Sequence, residues 1–192
     1  SLLWLTPVLA EEPRIILIHG DSLSAGYGMP LSSAWPTLLS KQVAPGYRVI
    51  NSSQSGETTT GGLNQLPDLL TRHRPAIVVL ELGANDALRG LPLDQARNNL
   101  ARMIALSRQA KARVLLVGMR LPPNFGPAYT AKFSALYTEL AKTQNVALLP
   151  FLLEGFADDL SLFQPDQIHP TAAAQPRVMT TVQRALQPLL KP

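Results

Sequence analysis

Short apolar runs bounded by Gly, Pro and polar turn formers recur at residues 14–19, 47–51, 76–82, 113–117 and 146–149. Each predicts a strand, five in all. Stretches with helical spacing separate them. In 94–110, Ala96, Leu100, Met103 and Ser107 share one face beneath Arg97, Arg102 and Arg108, with Asp94 as the expected N-cap. Further helices are expected at 33–42, 62–72, 128–143 and 171–186. The last starts just after Pro170, and Pro176 is expected to bend its first turns. Strands alternating with helices imply right-handed crossovers and a parallel sheet covered on both faces. The expected fold is α/β, a three-layer α/β/α sandwich with a five-stranded parallel sheet, in one domain over 13–192.

Composition narrows the class. The 192 residues are 46% apolar and 16% charged, with 12 Gly and 17 Pro, which is globular rather than disordered or collagen-like. A chain of this length buries a core without disulfide or metal support. Its 17 Lys and Arg against 13 Asp and Glu are scattered without forming a stripe, so no nucleic-acid partner is expected. The same diffuse positive charge is compatible with transient contact to an anionic membrane surface. The absence of cysteine excludes a disulfide scaffold, a thiolate metal site, a cysteine nucleophile and attachment through a lipidated cysteine. Residues 1–10 form an apolar run ending in Val8-Leu9-Ala10, the small-residue pattern that precedes a signal-peptidase cut. Residues 1–12 are therefore read as the remnant of an export signal, with an apolar N-terminal arm as the alternative.

Four polar islands interrupt this chain: Gly20-Asp21-Ser22-Leu23-Ser24, Ser55-Gly56-Glu57, Gly83-Ala84-Asn85-Asp86 and Asp166-Gln167-Ile168-His169. Three follow a predicted strand, and in a parallel sheet the functional loops lie at the carboxyl ends of the strands. A serine hydroxyl is a poor nucleophile at neutral pH and needs a base within hydrogen-bond reach, plus donors for the charge that develops on a carbonyl oxygen. Ser22, at a strand-to-helix turn after Gly20, is placed to attack and to donate its own N–H. Gly56 offers an unobstructed N–H, and Asn85 an amide donor that adds no competing base. His169 follows Asp166 by three residues, so one tight turn brings carboxylate and imidazole together. Asp166 would then fix the tautomer and stabilise the imidazolium.

Each island also has a plainer explanation. Ser after Asp is an ordinary helix cap, Asn85 and Asp86 are residues of an Asx-turn before a short helix, Gly56 is a turn glycine, and an Asp near an exposed His, as in Asp166 and His169, often only caps a turn. His19, inside the first strand, and His73, in the basic run Arg72-His73-Arg74, are read as structural. Asp21 is expected to hold its turn by hydrogen bonds rather than to react. Three scattered histidines without cysteine make no metal site, and no Gly-rich loop ends in a P-loop Lys-Ser/Thr pair. No cofactor is expected.

The four blocks, in this order and spacing, resemble the GDSL or SGNH hydrolase family, named for its Ser, Gly, Asn and His. The likeness runs from about Arg14 to the C-terminus. The segments from Glu81 to Gly90 (ELGANDALRG), from Leu121 to Gly126 (LPPNFG) and Ala174-Gln175-Pro176 resemble one branch, the bacterial thioesterase I/protease I/lysophospholipase L1 group. The resemblance implies the SGNH-hydrolase, flavodoxin-like fold and a periplasmic or secreted bacterial serine esterase. Its substrates would be small acyl esters, thioesters or lysophospholipids. Ser22 would be nucleophile, His169 base and Asp166 orienter, with the Ser22 and Gly56 N–H groups and the Asn85 amide as the oxyanion hole. Three residues depart from the branch: His19 where an apolar residue is usual, Ala84 where a second glycine is usual, and Gln167 where glycine is common.

The acyl chain is expected in a shallow apolar groove near Leu88 to Leu91 and Leu121 to Phe125, with Leu88, Leu121, Pro122, Asn124 and Phe125 as substrate-binding residues. A monomer is expected. Two alternatives use the same scaffold: a carbohydrate O-deacetylase, which the 6% aromatic content disfavours, and an inactive lipid-binding protein, against which intact Ser22, Asn85 and His169 argue.

Overall fold

The computed structural model describes residues 12–190, so the expected signal remnant lies outside the described residues except for Glu12. Five parallel strands, β1 (Arg14–Gly20), β2 (Tyr47–Asn51), β3 (Ile77–Glu81), β4 (Arg113–Val117) and β5 (Ala147–Leu149), form one sheet in the order β2-β1-β3-β4-β5. The α/β sandwich expected from the chain is the fold observed. Every residue of β3 is buried, as are six of the seven in β1, because these strands lie at the centre of the sheet with helices on both faces.

The long helices are α3 (Thr59–His73), α5 (Leu93–Gln109) and α6 (Pro127–Gln144), which pack in series, and α7 (Gln175–Leu186), which packs on α2 (Trp35–Ser40). Right-handed crossovers from β1 through α2 to one side, and from β2 through α3 to the other, put the two groups on opposite faces. The connection after β1 therefore runs one way and the connections toward β3, β4 and β5 the other. The crevice between the carboxyl ends of β1 and β3 is the point where they part.

Several boundaries differ from expectation for identifiable reasons. Asp94 is not the N-cap of α5: Pro92 holds that position and Asp94 lies in the first turn, accepting from Arg97 Nη1 at 3.1 Å. Pro176 does not bend α7, since it occupies the first turn, where no N–H is required of it, and a 3-10 turn at Ala172–Ala174 precedes it. The helix expected at 33–42 is a 3-10 turn at Leu31–Ser33 followed by the shorter α2. Helix α3 begins earlier than expected because Thr58 caps it, accepting from the Gly61 N–H. Two short helices have no periodic signature: α1 (Ser22–Ala25), at the strand-to-helix turn expected after Gly20, and α4 (Ala84–Leu88), which includes Asn85 and Asp86 rather than following them.

Gly83, which caps α4, has φ +118°, and a Cβ there would run into the Tyr137 hydroxyl. Tyr137 is fully buried and donates to the Leu82 carbonyl at 2.8 Å, so it cannot give way cheaply. Gly83→Ala is expected to lower the unfolding free energy by about 2–4 kcal/mol, read by urea denaturation, from backbone strain plus overpacking. A loss within experimental error would contradict the constraint assigned to this turn.

Candidate active site

Helix α1 begins directly after β1, and its N-cap is Asp21, whose Oδ1 accepts from the Leu23 N–H at 3.0 Å. That cap sets Ser22 at the first helical position, on the carboxyl edge of the sheet. Helix α4 begins in the same way after β3 and carries Asn85. Gly56, with φ +79°, follows β2, and its carbonyl accepts from Arg89 Nη2 at 2.8 Å. Neither the Ser22 N–H nor the Gly56 N–H reaches an acceptor among the described residues.

His169 arrives from the far end of the chain. It lies in the turn before Ala172–Ala174, where Asp166 Oδ1 accepts from the N–H groups of Ile168 and His169 at 2.9 and 3.0 Å. The same carboxyl receives His169 Nδ1 on Oδ2 at 2.6 Å, and His169 Nε2 is 2.8 Å from Ser22 Oγ. A carboxylate only accepts, so Nδ1 carries the ring proton and Nε2 is the acceptor for the serine hydroxyl. Burial alone would raise the Asp166 carboxyl, but the two backbone N–H groups and the His169 side chain outweigh it and hold it below the ordinary aspartate value. The Tyr27 ring covers the imidazole with centroids 4.4 Å apart.

Asn85 is more engaged than an unencumbered donor would be. Its Nδ2 donates to the Glu57 carbonyl at 3.0 Å and, at the longer distance of 3.3 Å, to Asp21 Oδ2. Asp86 does not form an Asx-turn; its carboxylate accepts from Thr59 N at 2.9 Å and Thr59 Oγ1 at 2.6 Å, tying α4 to the start of α3.

Ser22, Gly56, Asn85, Asp166 and His169 all face one cavity of about 1150 Å³, and so do Leu88, Leu121, Pro122, Asn124 and Phe125. The structure thus brings together every site residue expected from the chain. Phe151, Leu153 and Phe163 also line this cavity and add an apolar wall beyond the expected groove. Leu91 instead lines a neighbouring cavity of about 580 Å³ that shares Leu88 and Phe125 with it. Three contributors escaped the sequence reading. Tyr27 had no signal, and the Phe151–Phe163 wall belongs to irregular chain after β5. Glu81 had one, an acid inside an apolar run: its Oε2 accepts from Ser24 Oγ at 2.7 Å beneath the nucleophile.

His19 is buried away from the cavity, with Nε2 donating to the Gly62 carbonyl at 2.8 Å and Nδ1 2.9 Å from Ser52 Oγ. Among the described residues no group of three or more His, Asp or Glu could hold a metal ion.

The model of the GDSL-like Lipase/Acylhydrolase family matches residues 18–176. The chain is 47% identical to esterase TesA of Pseudomonas aeruginosa, over 99% of this chain and 95% of that protein. It is 44% identical to thioesterase 1/protease 1/lysophospholipase L1 of Escherichia coli, over 94% and 87%. A crystal structure of the psychrotrophic esterase EstA from a Pseudoalteromonas species, inhibited by monoethylphosphonate, superposes with a TM-score of 0.87 at 35% identity, covering 92% of this chain and 98% of that one.

Burial lowers the His19 pKa below its ordinary 6.5, although its hydrogen bond to Gly62 and the nearby Glu57 charge oppose the shift. Its folded value is then below its unfolded one, so its stabilising contribution is complete above 6.5 and is lost as pH falls. His19→Val should therefore show a flatter dependence of unfolding free energy on pH than the parent between about pH 7 and 5, measured by urea titration. Parallel curves would contradict a neutral buried His19.

Proposed function

The chain belongs to the GDSL-like Lipase/Acylhydrolase family, and from that premise we propose that it hydrolyses acyl esters and thioesters, lysophospholipids among them, through an acyl-enzyme on Ser22. The observation that carries this reading is the unbroken line from Ser22 Oγ through His169 to Asp166, at 2.8 and 2.6 Å.

Ser22 Oγ attacks the acyl carbon while its proton passes to His169 Nε2. The Nδ1–H stays bonded to Asp166, which stabilises the imidazolium without taking its proton. The carbonyl electrons move onto oxygen, and the Ser22 N–H, the Gly56 N–H and the Asn85 amide receive that charge. For Asn85 the 3.3 Å bond to Asp21 is the weaker of its two and is the hydrogen it can turn to the oxyanion. Collapse expels the alcohol or thiol, which leaves with the proton from Nε2. Water then repeats the sequence on the acyl-enzyme and frees the acid. All of the steps are proton transfer and acyl transfer, and none calls for a cofactor.

The acyl chain lies along Leu88, Leu121, Pro122, Asn124 and Phe125. A cavity of about 1150 Å³ with phenylalanine and leucine walls favours lipid acyl groups over the acetyl groups of a sugar deacetylase. Tyr27, Leu160 and Ile168 are exposed at its rim and support transient contact with a lipid surface. We read the enzyme as a monomer that is exported to the periplasm or secreted, on the pattern of residues 1–10.

A p-nitrophenyl ester series of rising chain length, run beside acyl-CoA and lysophospholipid, tests this reading. Turnover should rise from acetyl to longer acyl groups. Ser22→Ala should lower kcat by at least about 10⁴-fold, and Asp166→Asn by about 10²–10⁴-fold. Acetyl-only turnover would point to the sugar esterase, and unchanged turnover in Ser22→Ala would remove the mechanism.

A further inference from the structure

Directly under Ser22 lies a pair of acidic side chains that the hydrolytic steps do not use. Asp21 and Glu81 are each 1% exposed, and Glu81 Oε2 accepts from the Asp21 backbone N–H at 3.4 Å, which sets the two carboxyl groups beside each other. Two buried carboxylates side by side with no cation between them repel, and each can only accept, so the pair is satisfied when it holds one proton. The surroundings say where it resides. Asp21 receives N–H groups on both oxygens, from Leu23 and Asn85. Glu81 receives the Ser24 hydroxyl at 2.7 Å and the Asp21 N–H at only 3.4 Å, both on Oε2. The other titratable groups nearby add no cation to Glu81. Tyr137 from α6 and Asp86 from α4 face the same layer, and His169 acts on Asp21 rather than on Glu81. No ion pair among the described residues involves either carboxyl.

We propose that Glu81 is a positioning residue for the oxyanion site: as the neutral acid it donates a hydrogen bond to the Asp21 carboxylate, and so moderates the hold of Asp21 on the Asn85 amide. This rests on the acyl-transfer reading of Ser22 and Asn85. With the Glu81 proton in place, Asp21 keeps its cap on α1 but holds Asn85 at only 3.3 Å, so the amide hydrogen can move to the oxyanion as it forms. Without that proton, the buried Asp21 carboxylate loses its Glu81 donor and leans on the Leu23 N–H and the Asn85 amide alone, so the hydrogen needed in the transition state is held more tightly. The electrostatics agree. Burial and the Asp21 charge raise Glu81 well above the ordinary glutamate value, while Asp21, raised by burial but relieved by its hydrogen bonds, is pushed up to about 6. The fit is tight, because a Cβ at Gly20 would stand 2.7 Å from Glu81 Oε2. That glycine leaves room for the acid.

Glu81→Gln supplies a neutral donor of the same shape, and Glu81→Leu removes the donor while keeping the volume. Infrared difference spectra of wild type against Glu81→Gln at neutral pH should show the carbonyl stretch of a protonated carboxyl in wild type only, a readout independent of turnover. Kinetically, Glu81→Gln should keep kcat within about threefold of wild type, whereas Glu81→Leu, with its fold checked by circular dichroism, should lose about 10–100-fold in kcat with little change in KM. A missing band in wild type would overturn the assignment. So would a Glu81→Gln kcat as low as that of Glu81→Leu, or a Glu81→Leu kcat equal to wild type. The band stands or falls whether or not Ser22 is the nucleophile, which separates failure of this inference from failure of the hydrolase reading.

Discussion

The site depends on one contact, Ser22 Oγ to His169 Nε2 at 2.8 Å, between residues 147 positions apart. Neither side chain makes a nucleophile alone, so the chain must fold as a whole before the chemistry exists. What brings them together is the direction of the sheet. All five strands are parallel, so every strand ends on the same edge, and Gly20, Asn51 and Glu81 deliver the loops that carry Ser22, Gly56 and Asn85 to that edge, around one crevice. The last turn then needs only to fold back over that edge, and Gln164 pins it there, its Nε2 donating to the Tyr27 carbonyl at 2.8 Å.

Beneath this contact, three acids lie within a core built on Leu, Ile and Val. Asp21, Glu81 and Asp86 are all buried, and each has a task in the backbone above it. Asp21 caps the helix of the nucleophile, Asp86 ties the start of α3 to α4, and Glu81 lies between Ser24 and Asp21. Buried acids are costly unless they are hydrogen-bonded or protonated, and here both conditions operate. The polar layer fixes the backbone that carries the donors above it. Donors placed in advance cost little reorganisation when charge develops on the substrate.

Much of this was readable from the chain. The apolar runs at 76–82 and 113–117 mark strands because a fully covered strand has no polar face to disguise it. The islands mark the sheet edge because polar residues directly after a buried strand have nowhere else to go. Other features carried no periodic signal: α1 and α4 span a single turn or little more, and Pro92, not Asp94, begins α5, since a proline suited to the end of a loop outcompetes a side-chain cap two residues later. Glu81 and His19 were visible only as polar residues in apolar strands. Their partners, Ser24, Asp21, Ser52 and Gly62, come from other segments, so only the fold shows whether such a residue is satisfied or strained.

The most direct test of the account is intact-mass and peptide mass spectrometry after exposure to an alkyl phosphonate ester. The account predicts one covalent adduct per chain, on the peptide carrying Ser22, formed at the same rate at which activity disappears, and absent when His169 is replaced by alanine. A folded, active enzyme that acquires no adduct, or one that is labelled at another residue while turnover continues, would contradict it.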